Sequence, residues 1–214
     1  MKHLLSRYLC FAAGIAINSF GVAFITKSAL GTSPISSLPY VLSLRFSDFS
    51  FGMTTFLFNM VLILLQFLLL RKEFPPVQCL QIAANVLFSA LIDVSMGILS
   101  FLQPELLPAR LICLLIGCLI LAFGICVEVA PDTIVVPGEG MVRVIARVSG
   151  IRFGTVKVLF DCTLMATAGV LSFLFFGQLN GLGAGTILSA LLVGRFVNFF
   201  NRRLPLIEAI RRLA

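Results

Sequence analysis

Gly14-Ile15-Ala16-Ile17-Asn18-Ser19-Phe20-Gly21 is answered later in the chain by Gly117-Cys118-Leu119-Ile120-Leu121-Ala122-Phe123-Gly124. The pairs Gly14/Gly117, Ile17/Ile120, Phe20/Phe123, Gly21/Gly124 and Pro34/Pro137 all lie 103 positions apart. Downstream, Phe51-Gly52 with Leu57-Phe58 matches Phe153-Gly154 with Leu159-Phe160 at 102. Ser89-Ala90-Leu91 matches Ser189-Ala190-Leu191 at 100. One match in apolar sequence can be chance. Three collinear blocks with a slowly drifting offset are what a duplication leaves after small loop deletions, so the chain reads as two related halves, 1–104 and 105–214.

The solvent of these halves is not water alone. The 214 residues are 59% apolar and 12% charged, with a mean hydropathy of +1.09. Soluble domains carry about 25% charged residues. Six stretches approach the roughly 20 apolar residues a helix needs to cross a bilayer: 8–26, 52–70, 77–101, 111–130, 154–176 and 182–200. Each half holds three. The N-terminus has no cleavable signal pattern, so the first stretch reads as a span.

Basic residues orient the spans. With the N-terminus in the cytoplasm, Lys2, Arg7, Arg71, Lys72, Arg143, Arg147, Arg152, Arg202, Arg203, Arg211 and Arg212 face inward, while Lys27, Arg45 and Arg110 face outward. Lys157 and Arg195 fall inside spans. That bias puts both termini in the cytoplasm. It also accounts for the net charge of +7 without nucleic acid.

Three spans per half is an odd number, so the second half enters the membrane from the opposite side. The expected fold is an all-α membrane protein of six transmembrane helices in two inverted three-helix repeats. Secondary transporters of that architecture hold their substrate where the repeats meet. Four spans per half would make the repeats parallel and move Arg71 and Lys72 outside, which the charge bias disfavours.

Each half has an extra segment after its first span, 30–46 and 133–152. The first contains Gly31-Thr32-Ser33-Pro34, with Ser33 a possible cap, Pro34 at a helix start and Pro39 expected to kink or shorten the helix. The second contains Asp132-Thr133 and then Pro137-Gly138-Glu139, with Glu139, Arg143 and Arg147 on one face and Gly150 as a stop. Two placements are open. Both short helices dip into the membrane and point their N-termini at a shared cavity, or both lie on its surface, with Met141, Val144, Ile145 and Val148 as the second helix's buried face.

Charges within spans are costly and mark function. Asp93, Glu128 and Asp161 are candidates for proton or ion coupling. Lys157, one turn before Asp161, offers it an intrahelical ion pair. Glu128 and Arg195 could instead snorkel to the inner interface. Asp93 has no charged neighbour at helical spacing and needs a partner from another element. Asn59 is the repeat counterpart of Asp161, as expected of a site on a pseudo-symmetry axis. Thr32, Ser33, Pro34, Asn59, Asp132, Thr133, Pro137, Glu139 and Asp161 form the candidate substrate site. Asn18, Asn85 and Asn198 are weaker signals, since amides also join helices. No catalytic constellation, cofactor fingerprint or metal cluster is visible, so neither an enzyme nor a cofactor is expected. The six cysteines read as small buried apolar residues, not a disulfide or zinc framework.

Ala29-Leu30-Gly31-Thr32-Ser33-Pro34, Phe51-Gly52, and Gly183-Ala184-Gly185-Thr186 followed by Ala190-Leu191-Leu192-Val193-Gly194 resemble the YczE/YyaS/YitT-type bacterial integral membrane proteins, the YczE branch above all. The first half departs from the late pattern, with Ala84-Asn85 where the second has Ala184-Gly185. The resemblance implies a polytopic inner-membrane protein and supplies no substrate. The leading expectation is a small-solute transporter of secondary type acting on a small polar or anionic molecule. The alternatives are a membrane-embedded substrate-binding subunit that serves an energising partner through the basic tail, and a non-transporting scaffold or sensor. Beyond lipid, a homodimer or a partner membrane protein is compatible with the sequence.

Overall fold

The computed structural model describes residues 2–71 and 75–212; Lys72, counted above among the inward-facing basic residues, lies outside them. The described chain is helical. Its elements in order are α1 (Lys2–Lys27), α2 (Pro34–Arg45), α3 (Phe51–Leu70), α4 (Leu80–Ile98), α5 (Leu107–Val129), α6 (Pro137–Ser149), α7 (Phe153–Phe176), α8 (Ala184–Arg203) and α9 (Pro205–Arg211). Six helical stretches are long and apolar enough to cross a membrane: Leu5–Lys27, Phe51–Leu70, Val77–Phe101, Leu107–Val129, Phe153–Phe176 and Ala184–Arg203. Their outward faces carry rows of exposed apolar side chains, such as Leu64, Leu65, Phe67, Leu68 and Leu69 on α3. In water such a surface would aggregate; against lipid it is the solvated face.

α1 and α5 form the centre and run antiparallel. The four glycines of the repeated motif sit where their backbones cross. Gly14 lies against Glu128, Gly21 against Leu121, Gly117 against Ile25 and Gly124 against Asn18. A β-carbon on Gly21, Gly117 or Gly124 would come within 2.5, 2.7 and 2.6 Å of the facing backbone nitrogen. Lipid gives helices no hydrophobic reason to associate, so close backbone approach at small residues supplies the contact.

The other helices pack in reciprocal fashion around this pair. α4 packs on α1 and α8 on α5. Each short helix crosses to the opposite half: α2 packs on α7, α6 on α3. The reciprocity breaks slightly where α2 touches α8 with no comparable α6–α4 contact among the described residues, and strongly at one interface. α3 packs along α4, whereas α7 and α8 share no comparable contact among the described residues.

Polar pairs hold α3 to α4 along their length. Asn59 Nδ2 donates to Asn85 Oδ1 at 2.8 Å, and Asn85 Nδ2 to the Phe56 carbonyl at 3.1 Å. The amides of Gln66 and Gln81, both fully buried, exchange hydrogen bonds of 3.3 Å. At the far end the Ser50 hydroxyl donates to Asp93 Oδ2 at 2.5 Å, and the Gly52 N–H to Asp93 Oδ1 at 2.7 Å. Asp93 thus finds the partner it needed: it completes the N-terminus of α3, where Ser50 is the N-cap and accepts from the Met53 N–H. Asp93→Ala should cost about 1–2 kcal/mol, the range of a lost cap, read as a lower melting temperature of the detergent-solubilised protein. An unchanged melting temperature would remove this contact from the account.

Several sequence expectations need correction. Ser33 occupies the N-cap of α2 but does not cap through its side chain; its hydroxyl donates to that of Ser36 at 2.9 Å. Pro39 does not end α2, which runs on to Arg45; a single proline forgoes one backbone bond, and the buried first turns hold the helix. Gly150 does stop α6, in the left-handed conformation. Cys113, Cys118 and Cys126 are buried, but Cys79 and Cys162 are exposed. The basic tail folds back as α9, with Ile207 and Ile210 buried against Cys126, Val127 and Ala130.

Candidate functional site

The two short helices share one layout. At 12 and 13 residues each spans about 18–20 Å at 1.5 Å per residue, too short to cross a hydrocarbon core of about 30 Å. In each, the first turns are buried and the last turn is exposed. Of the α6 face drawn from sequence, Met141 and Val144 are buried, Ile145 is half-buried and Val148 is exposed; Val142, off that face, is buried as well. The two N-termini meet: Gly138 lies against the Ile35 side chain, and a β-carbon there would overlap it. They are packed on one another at this point and do not face across a gap.

Glu128 sits beside this junction, on α5. It is 2% exposed, so it does not snorkel to the interface. Asn18 Nδ2 of α1 donates to Glu128 Oε2 at 2.7 Å. The carboxyl also lies against the Val136 N–H at the start of α6, and the half-buried Glu139 is near enough to repel it. Among the described residues no basic side chain pairs with Glu128. An amide and a helix N-terminus, not a cation among the described residues, thus compensate this buried acid.

The start of α2 is anchored differently. Thr32 is fully buried; its hydroxyl bonds that of Thr26 at 2.8 Å, its N–H donates to Thr186 Oγ1 at 3.2 Å, and its carbonyl accepts from Ser189 Oγ at 3.3 Å. The Gly185 N–H donates to the Leu30 carbonyl at 2.9 Å. Gly31, at φ +129°, lets the loop approach α8; a side chain there would meet Thr186. This cluster ties the α2 entry to the start of α8. At the start of α6, the Pro137 carbonyl accepts from Gln66 Nε2 at 3.0 Å, and Gly140 leaves room for both glutamines.

The other expected residues separate into groups. Pro34, Pro137 and Glu139 lie in the two first turns. Asn59 is buried but engaged with Asn85. Asp161 pairs with Lys157 at 2.8 Å within α7, partly exposed. Among the described residues, no hydrogen bond or ion pair joins Asp161 to Asn59 or to either short helix. Asp132 is exposed at φ +44°, its carbonyl and that of Pro131 each accepting from Arg7 at 3.0 Å. The Thr133 hydroxyl oxygen is buried without a partner. Sequence reasoning ranked Asn18 among the weaker signals and passed over Gln66 and Gln81. Their signal was present, as amides inside otherwise apolar spans, but nothing in one helix indicates which distant helix an amide will meet.

Six apolar spans around a buried acid, with two short helices buried at their first turns, define a multi-pass α-helical membrane protein. The chain belongs to a family of unknown function, DUF6198, whose model matches residues 5–202. It is 26% identical to the uncharacterized protein YyaS of Bacillus subtilis (strain 168), over 94% of each chain. No solved structure matches it.

Proposed function

We propose that this protein is a secondary transporter of a small polar or anionic solute, built from inverted repeats and coupled through Glu128. The observation that carries the proposal is the fully buried Glu128 carboxyl at the start of α6, with an amide donor and, among the described residues, no basic partner. A structural acid would be expected to find a cation, because a buried charge left unpaired is costly. A coupling acid gains and loses its proton as the cycle turns. The inverted-repeat reading is supported by the glycine contacts. Gly14 meets Glu128, the counterpart of Ile25, and Gly117, the counterpart of Gly14, meets Ile25. Gly21 meets Leu121 and Gly124 meets Asn18 in the same exchanged manner. Such contacts are isologous, as a two-fold axis requires.

In this mechanism the first turns of α2 and α6 part to admit the solute, their free N–H groups suiting an anionic group. Glu128 binds the coupling proton from one side and releases it to the other. The excess of basic residues in the loops supports cytoplasmic termini.

Thermal stability against a panel of metabolites tests the reading. A solute at 100 times its dissociation constant adds about 2.7 kcal/mol to stability if only folded protein binds it. The expected result is a stabilising solute whose effect responds to pH in the native protein and not in Glu128→Gln. A stabilising solute whose effect is identical in Glu128→Gln at every pH would remove Glu128 from the mechanism.

A further inference from the structure

The two halves differ most at one interface, and glycine marks it. Gly52 on α3 fits closely against α4, where a β-carbon would overlap the Ser89 carbonyl and the Asp93 carboxyl. Its repeat counterpart is Gly154 on α7, and a β-carbon there meets nothing within 4 Å. Both glycines stand in the first turn of their helices, and only Gly52 is closely packed there. The polar pairs that hold α3 to α4 are also missing. Asn59 and Asn85 correspond to Asp161 and Gly185, Gln66 and Gln81 to Ala168 and Gly181, Asp93 to Val193. Accordingly 17% of the apolar window is buried in each of α7 and α8, against 39% in α3 and in the span that contains α4.

The separation has a direction. One end of the pair is pinned: Ser172 Oγ accepts from the Asn180 N–H at 2.6 Å, Gly181 lies against Tyr40 and Leu44, and Phe175 packs on Phe46. Along α7, Ala168 and Ser172 are buried near this end while Gly154 is exposed at the other, the Phe153 end.

We infer that the slot between α7 and α8 is the open mouth of the transport path, and that the opposite state closes it by seating Gly154 on Ser189 and Val193 while α3 parts from α4. The inference rests on the transport reading above. In it, Lys157 and Asp161, the counterparts of Thr55 and Asn59 on the α4-facing side of α3, line the slot that an entering polar solute passes. The closed state uses Gly154 as this state uses Gly52.

A disulfide trap tests this without knowledge of the solute. Gly154→Cys and Val193→Cys are introduced together after the six native cysteines are replaced, and the protein is oxidised in membranes. Trapping accumulates even a briefly visited closed state. Asn59→Cys with Asn85→Cys, on the packed α3–α4 pair, is the positive control. The expected result is a 154–193 link within one chain, found by peptide mass spectrometry, forming more slowly than the control. A control that links while 154–193 does not, or links only between two chains, overturns the gate. Gly154→Leu adds a second readout: it should stay folded, because this state leaves the space open, and lose at least 10-fold in flux. Flux with no 154–193 link overturns the gate alone; a link with no flux of any solute overturns the transport reading alone.

Discussion

Gly124→Leu should abolish recovery of folded protein. At this position a β-carbon would lie 2.6 Å from the Asn18 backbone nitrogen and 2.8 Å from its α-carbon. Backbone cannot rotate aside as a side chain can, so α1 and α5 must separate along their length. The cost lies at or above the upper end of the roughly 1–3 kcal/mol typical of overpacking, because this contact is the centre on which α4 and α8 are mounted. Gly21→Leu, on the other helix of the pair, should fail to the same degree. Gly194→Leu, with nothing within 4 Å of its β-carbon, should fold normally. Size-exclusion profiles of detergent-solubilised fusions decide it. A monodisperse Gly124→Leu would mean that α1 and α5 do not cross where they are placed here.

The second large effect concerns the buried acid. Asn18→Leu removes the hydrogen bond of 2.7 Å to Glu128 and leaves a buried carboxyl with less compensation. Leaving a buried polar group without its hydrogen-bond partner costs about 1–3 kcal/mol, and more when the group is charged. Replacing both partners by apolar groups is close to neutral by comparison. Asn18→Leu should therefore lower the melting temperature sharply, and the Asn18→Leu/Glu128→Leu double variant should recover most of the loss. Additive losses in the double variant would show that each side chain acts through packing alone.

These predictions locate what the sequence made readable. Spans follow from hydropathy because lipid rewards unbroken apolar stretches, and the short helices follow from Pro34, Pro137 and Gly150, whose effects are local. The repeated glycines signalled an interface, since no local feature of a helix calls for Gly14, Gly21, Gly117 and Gly124. What they touch was not legible, because an antiparallel crossing joins residues about a hundred positions apart. The same limit hid the Asn18–Glu128 pair. The expected symmetry of Asn59 and Asp161 failed to produce a shared contact for a different reason. Repeat counterparts occupy equivalent positions only where the halves pack alike, and α7 stands away from α8 where α3 does not from α4. Asp132 was read as a site residue from its place before Pro137, yet its backbone serves Arg7 and its side chain faces outward.

The most direct test of the central claim is solute uptake by purified protein in liposomes under an imposed pH gradient, with the internal contents read by mass spectrometry. The liposomes are offered a mixture of small polar and anionic metabolites. The account predicts that at least one solute accumulates above empty liposomes, that its accumulation collapses when the gradient is dissipated, and that Glu128→Gln abolishes gradient-driven accumulation. Folded, membrane-inserted protein that accumulates no solute, or a Glu128→Gln variant that accumulates as well as the native chain, would contradict it.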